Sequence, residues 1–466
     1  MSGEERLDVA VVGAGIFGMS LAIFLRDDDE ARSLKVFEAA PRPGGTLGST
    51  RRNGYVWEHG ANGFLDNVPH TKDLAIRLGL EDRLQPAAEA ARHRYLLRHG
   101  TLHPLPTSPP AFFSSRLLSL KGRLRVALEP LRSYRPVPDD QSVAHFARRH
   151  LGQEAADVLI DAMVSGIFGG DPERLSLPSA FPKMAALERE HGSLVRGMIR
   201  KKKEARRSRA EASGGPAGPG GRSHSFPSGL QELVDAAANH LGERLVVDTD
   251  VLSAELAEGG WRLRLEGAPD VIATELALCV PPHRAKEILA GDRELASLLE
   301  EIPAASIAVV GLGFERRRVA HPLDGFGFLR PWKEPGRILG CLFPGTCFPE
   351  HAPSDRVSLR VMTGGRRDPA AVSLSDDELL RVVLDDLRSL LGIEGDPEEI
   401  EIRRWPRGIP QYELGHEKRL ARLDTLLETR PGLALGGNGY RGIGLNDCVR
   451  GARELADRLG RRSREA

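Results

Sequence analysis

An α/β fold is predicted for this 466-residue chain, and three features predict it. The N-terminus reads as a buried strand, a glycine-rich turn and a helix. The middle, residues 141–200, reads as largely helical. The second half is rich in short strands and closes on another glycine-rich loop that enters a helix.

At about 150 residues per domain, this length suggests about three domains. That is enough chain to bury a large core without disulfides or metals. Lys+Arg and Asp+Glu both number 65, so the formal charge is zero. A dedicated nucleic-acid binder would show a basic excess, so no nucleic-acid partner is expected. A hydrophobic content of 41% argues against disorder. Cys279, Cys341, Cys347 and Cys448 show no CxxC spacing. Buried free thiols in a reducing compartment are expected, not a zinc knuckle. The opening MSGEERLDVAVV lacks the basic and apolar regions of a secretory signal. No run reaches 18 apolar residues, so no transmembrane helix is expected. A cytoplasmic location follows as the expectation.

Taken in order, LDVAVV (7–12) is a short apolar strand, Met19 to Arg26 a helix, and LKVF (34–37) a second strand: a βαβ opening. Residues 101–131 begin Pro-rich and continue as the amphipathic RLLSLKGRLRVALEPL. Residues 141–200 read as helices broken at IFGGDP (167–172). A basic run from Arg200 to Arg209 precedes SGGPAGPGG, a flexible loop. A helix is expected from Ser228–Leu230 to His240, and a strand over 244–251. Paired strands are expected within 261–280, and more strands at 304–315, 326–343 and 356–363. Residues 376–391 read as a helix, LALGG (433–437) as a strand, and a last helix begins near Asn446 or Asp447.

Gly13, Gly15 and Gly18 form GxGxxG between the first strand and helix. The first glycine permits the turn, the second a close approach to pyrophosphate, and the third tight helix–strand packing. Ala14, Ile16 and Phe17 fill the motif at a helix N-terminus that favours phosphate. Glu38 lies 20 residues past Gly18, placed to accept hydrogen bonds from a ribose diol. This spacing establishes a dinucleotide site. Pro41-Arg42-Pro43-Gly44-Gly45-Thr46 then follows, with Arg42 read as a charge for phosphate. Near the C-terminus, GGNGYRGIGLND (436–447) is a second glycine-rich loop running into a helix. Its glycines admit a flat ring or a pyrophosphate, and the helix onset favours negative charge there. The histidines show no HExxH-like spacing, so no metal site is expected.

GxGxxG, then Glu38, then Arg42-Pro43-Gly44-Gly45 resembles the flavin-binding opening of the amine-oxidase-like flavoproteins. NGYRGIGL with Asn446-Asp447-Cys448, GIPQY (408–412) with Gly415-His416, GIFGG (166–170) and GFGFL (325–329) resemble the protoporphyrinogen oxidases in particular. The motifs span essentially the whole chain. Thr46 stands where many relatives carry Arg, and Gly439 where Ser is common; neither removes a group the chemistry needs.

The resemblance implies a fold, a cofactor and a reaction. The fold is a discontinuous Rossmann-like FAD-binding domain (1–88, 225–280 and 425–466), a mixed-sheet substrate-binding domain (89–104 and 281–424), a helical membrane-binding-like insertion (105–205) and a flexible loop (206–224). The reaction is removal of six electrons from a porphyrinogen, with FAD as cofactor and O2 as acceptor, giving H2O2. Protoporphyrinogen IX is the leading substrate and coproporphyrinogen III the alternative. A different amine-oxidase-like oxidoreductase and a flavin-carrying membrane adaptor are the remaining rivals.

For FAD the resemblance carries over Gly13 to Gly18, Glu38, Arg42, Gly44, Gly45, Thr46, Gly60, Ala61, Asn62, Gly63, Val251, Trp405, Asn438, Ile443, Gly444 and Leu445. For substrate it carries over Arg94 as a propionate partner, Asn62 beside the flavin, Phe326 and Leu329 around a pyrrole, Gly166 at the macrocycle edge, and Met362 on the wall. No residue is assigned as catalytic, since the cofactor does the redox work. Residues 105–125 are expected to touch the inner face of the cell membrane peripherally, with apolar side chains inserted and Arg and Lys on lipid phosphates. Monomer and homodimer are both open.

Overall fold

The computed structural model describes residues 5–132, 134, 137, 140–207 and 221–465. Two seven-stranded sheets carry the fold. In the first, strand β1 (Glu5–Val12) lies between β2 (Leu34–Phe37) and Val271–Leu278, all parallel. Leu245–Val246 extends the sheet beyond β2, and Leu433–Leu435 pairs with Val271–Leu278, again parallel. The hairpin Val251–Ala257/Gly260–Leu265 completes it antiparallel. N- and C-terminal segments therefore share one sheet, as a discontinuous domain requires.

Helix α1 (Ile16–Asp28) is buried from Phe17 to Leu25 between this sheet and helix Leu445–Glu465. That burial on all sides explains its uniformly apolar sequence. It starts earlier than the expected Met19, so Gly18 lies inside its first turn. The expected strand over 244–251 is two strands. Between them the chain turns at Asp248, with φ of 50°, and hydrogen-bonds to the segment after β2: Asp248 N to Ala40 O at 3.2 Å and Thr249 N to Glu38 O at 2.9 Å. The bend exists because the chain follows Glu38, which no local pattern reveals.

The second sheet runs in the order Glu399–Pro410, Ala304–Glu315, Arg356–Gly364, Ile338–Leu342, Gly327–Leu329, Tyr95–Arg98, Thr101–Pro104. It is antiparallel except for Gly327–Leu329 with Tyr95–Arg98. One face packs on helix Asp376–Leu391 through Val310, Leu312, Leu359 and Val361. The other face, with Ile307, Val309, Met362 and Trp405, looks toward the first sheet.

Between strands Thr101–Pro104 and Ser223–Ser225 the described residues form helices, among them Leu120–Ala127, Val143–Leu151, Asp161–Phe168, Pro182–His191 and Leu194–Arg207. The basic run at 200–207 is thus helical. The remainder of that run, and most of the expected loop 206–224, lie outside the described residues. All four cysteines are buried and free, as the sequence suggests.

Candidate active site

A cavity of about 2460 Å3 is lined by both sheets and by the helical segment. One end is built by the turn after β1. A Cβ at Gly18 would sit 2.0 Å from Gly13 O, so only glycine lets α1 begin so close to the strand. Gly15 differs: a Cβ there meets nothing within 4 Å and projects into the cavity. Gly15 caps α1 with no side-chain hydrogen bond, leaving first-turn N–H groups for a ligand. The Glu38 carboxylate accepts from Ala14 N at 2.8 Å and Ala40 N at 3.0 Å. Those bonds fix it at the cavity wall, and each oxygen keeps a lone pair for a ribose hydroxyl.

Gly13, Gly15, Ile16, Phe17, Gly44, Gly45, Thr46, Gly60 to Gly63, Val251, Trp405, Asn438 and Ile443 to Leu445 all line the cavity, together with Glu38. Ala14 and Gly18 shape the turn from behind. The Arg42 guanidinium is directed onto its own loop: Nη1 donates to Pro43 O at 3.1 Å, Leu47 O at 3.2 Å and Gln231 Oε1 at 3.3 Å, and Nη2 to Gly45 O at 3.4 Å. In this arrangement Arg42 shapes the Gly44-Gly45 turn. The opposite wall offers another opening made for a ligand. Gly437, at φ of 117°, also points an absent Cβ into open space. Both amide atoms of Asn62 are buried without a partner among the described residues. Glycine-made space, free N–H groups and an orphaned amide are what a flat dinucleotide cofactor needs, so the residues fit FAD.

At the other end, the Arg94 guanidinium lies 5.4 Å from the Phe326 ring centroid. Burial lowers its pKa below the ordinary arginine value, yet a guanidinium stays charged at neutral pH. Gly166 faces Leu329 so closely that a Cβ would come within 2.8 Å of both its methyl carbons. Met362 lines the same cavity. The sequence-derived substrate residues therefore converge on one space.

Several residues that shape the site carried no assigned role. Arg284 reaches the cavity beside Val251, donating to Asp250 Oδ1 at 2.5 Å and Val251 O at 3.2 Å. The Tyr412 hydroxyl donates to Asn438 O at 2.5 Å. His416 stacks on Tyr412 at 4.4 Å and lies 2.8 Å from Tyr440 O. Burial pushes His416 down to about 4, so it is neutral, and its Nε2–H donates to that carbonyl. Tyr412 and His416 thus hold the C-terminal glycine loop. Asn446 joins helix Leu445–Glu465 to Leu65 O at 2.8 Å and Thr71 N at 3.0 Å. Arg360 lies beneath the 60–63 turn. Its signal was an arginine at the centre of the apolar strand RVSLRVMT.

Residues 18–460 match the flavin containing amine oxidoreductase family. The chain is 30% identical to coproporphyrinogen III oxidase of Bacillus subtilis (strain 168), over 98% of both chains. It is 32% identical to protoporphyrinogen oxidase 2, chloroplastic/mitochondrial, of Arabidopsis thaliana, over 96% of this chain and 93% of that one. A solved structure from Exiguobacterium sp. 255-15, provisionally named a protoporphyrinogen oxidase, superposes with a TM-score of 0.84 at 26% identity, over 98% and 99% of the two chains. Fold, FAD-shaped cavity and relatives agree: the chain belongs to the flavin containing amine oxidoreductases, among relatives that are protoporphyrinogen and coproporphyrinogen III oxidases.

Proposed function

We propose that this flavoenzyme oxidises protoporphyrinogen IX to protoporphyrin IX, a six-electron reaction with O2 as acceptor and H2O2 as product. The observation that carries the reading is the half-buried Arg94 cation over Phe326, at the end of an apolar cavity that continues into the flavin site. A porphyrinogen is a broad apolar ring bearing carboxylates, so it needs both. Bound FAD supplies the acceptor of hydride equivalents. The chain's own residues bind and orient. Arg94 pairs with a propionate through a charge-assisted hydrogen bond. Phe326, Leu329 and Met362 wall the macrocycle, and Gly166 leaves room at its edge. Asn62, on the cavity wall with both amide atoms unpartnered among the described residues, would offer hydrogen bonds to the bound molecules.

Coproporphyrinogen III is the second reading. It carries four propionates instead of two, and Arg123, Lys183, Lys201 and Arg407 also line the cavity. Relatives from Bacillus subtilis and Staphylococcus aureus are coproporphyrinogen III oxidases. A fluorescence assay in air with each porphyrinogen separately tests both. Porphyrin formation above the enzyme-free rate, with peroxide, is expected, and the kcat/KM ratio selects the substrate. No acceleration with either, despite bound FAD, sinks the proposal.

Arg94→Ala is expected to raise KM by about tenfold or more, with a smaller change in kcat. The estimate takes a hydrogen bond to a charged group as about 1.5–3 kcal/mol. An unchanged KM in steady-state kinetics removes Arg94 from the substrate site.

Membrane contact belongs to the same proposal. Leu120, Leu124, Leu128 and Leu131 are exposed at helical spacing, with Phe113 and Ile199 also exposed. Lys121 and Arg123 stand among them. Such a face suits the interfacial layer at the inner surface of the cell membrane. Among the described residues no helix is long and apolar enough to cross a membrane.

A further inference from the structure

Alternate residues of strand Arg356–Gly364 face opposite layers. Val357, Leu359 and Val361 enter the core under helix Asp376–Leu391. Arg360 shares the Met362 face, is only 3% exposed, and lines the cavity beside Gly60 and Asn62. Burying a guanidinium costs several kcal/mol unless its surroundings compensate. Here its hydrogen bonds go to carbonyls: Nε donates to Glu58 O at 3.1 Å and Nη2 to Gly60 O. The Glu58 carboxylate is turned elsewhere, accepting from Ser49 Oγ at 2.7 Å and Leu230 N at 2.9 Å. Burial pushes that carboxyl up to about 7, so it neutralises Arg360 only in part. Arg360 itself falls to about 10 by burial and stays charged at neutral pH.

A well-packed apolar residue would stabilise the sheet as well as this cation does. What the arginine adds is control of the turn and a fixed charge. Three consecutive carbonyls of the turn are held, Glu58 and Gly60 by Arg360, and His59 by Trp405 Nε1 at 3.0 Å. The same turn carries Asn62.

We propose that Arg360 is a positioning residue for the bound flavin. It fixes the 58–63 turn and places a buried cation at the flavin cavity that stabilises the reduced, negatively charged cofactor. Two electrons and one proton convert the neutral oxidised ring into an anion. A preorganised cation in a low-dielectric wall lowers the energy of that anion and displaces the equilibrium toward reduction. The inference rests on FAD alone and holds whichever porphyrinogen is the substrate.

The test is the midpoint potential of FAD in the purified holoenzyme, titrated with xanthine and xanthine oxidase against a reference dye. The variants are Arg360→Gln, Arg360→Met and Arg360→Lys. Glutamine is neutral and still able to donate to Gly60 O. The neutral variants are expected to shift the two-electron equilibrium at least about tenfold toward oxidised flavin, a fall of about 30 mV. Arg360→Lys, which keeps the charge, is expected to recover most of that shift. FAD-bound neutral variants with the wild-type potential overturn the proposal. So do neutral variants that fail to fold even when FAD is supplied, because Arg360 would then be a structural residue.

Discussion

A Gly15→Val variant is expected to purify folded and colourless. Gly15 has φ of −68° and ψ of 171°, a conformation open to any L-residue. A Cβ there meets no atom within 4 Å, so the apoprotein loses nothing. The added isopropyl group instead occupies the space where the first turn of α1 opens into the cavity. Overpacking of about 3 kcal/mol corresponds to roughly 100-fold weaker binding. The loss of close N–H approach adds to it. Flavin absorbance of the purified protein and an FAD titration measure the effect, and circular dichroism checks the fold. Gly18→Ala, three residues further on in the motif, should do the opposite and damage the fold, because its Cβ would meet Gly13 O at 2.0 Å. A Gly15→Val protein that stays yellow at wild-type stoichiometry would place the cofactor elsewhere.

The two glycines show how the sequence can be read and where reading stops. GxGxxG, Glu38 and the 436–447 loop are legible because their roles are local: turn geometry, helix onset, a carboxylate at a strand end. The strands at 271–278, 304–315 and 356–363 are legible because they are rich in apolar and β-branched residues. Arg42 is different. Its charge suggests phosphate, and in the fold its guanidinium donates to the loop's own carbonyls, a choice among acceptors that a long flexible side chain makes only when the loop is folded. The 244–251 segment reads as one strand because Val246, Val247, Thr249 and Val251 spread β-branched residues along it. Its break depends on Glu38 and Ala40, about 200 residues earlier in the chain.

GIPQY and the following Gly-His marked the family in the sequence without disclosing a task. The structure supplies one: Tyr412 and His416 reach across to Asn438 O and Tyr440 O. Gln411 Nε2 donates to Phe168 O at 2.8 Å, tying the same segment to the helix that carries Gly166. One short motif thus couples the flavin loop to the substrate wall. Only tertiary contacts reveal this, since the partners are separated by 24 residues or more.

The helical segment holds a buried charge cluster that no motif announced, and Glu129→Gln tests it. Glu129 and His150 are both 0% exposed, and Glu188 is 3% exposed. His150 Nδ1 lies 2.8 Å from Glu129 Oε1, and Nε2 lies 3.0 Å from Glu188 Oε1. His150 thus bridges two buried carboxylates, one at each ring nitrogen. Ser193 Oγ at 2.6 Å, Leu194 N at 2.9 Å and Val195 N at 3.2 Å also donate to Glu129. Arg149 Nη1 donates to Glu188 Oε1 at 2.9 Å. The cluster therefore pins helices Val143–Leu151, Pro182–His191 and Leu194–Arg207 to the turn after Leu120–Ala127. A glutamine would present an NH2 group to donors and remove one of the two carboxylates that flank His150. Breaking a buried pair on one side costs about 3–5 kcal/mol. Glu190→Gln, at a half-exposed neighbour, should cost far less. The pH dependence has a definite sign. Burial by itself would raise the Glu129 pKa, but the bonds from His150, Ser193 and the two backbone N–H groups outweigh it and hold the pKa below the ordinary carboxylate value. A depressed folded-state pKa contributes stability that is complete above the unfolded value and is lost as pH falls through the folded one. The gap between wild type and Glu129→Gln in urea denaturation should thus be constant near neutral pH and shrink below the usual carboxylate range. A gap under about 1 kcal/mol, or one that does not shrink in acid, would mean that the cluster does not hold the helices together.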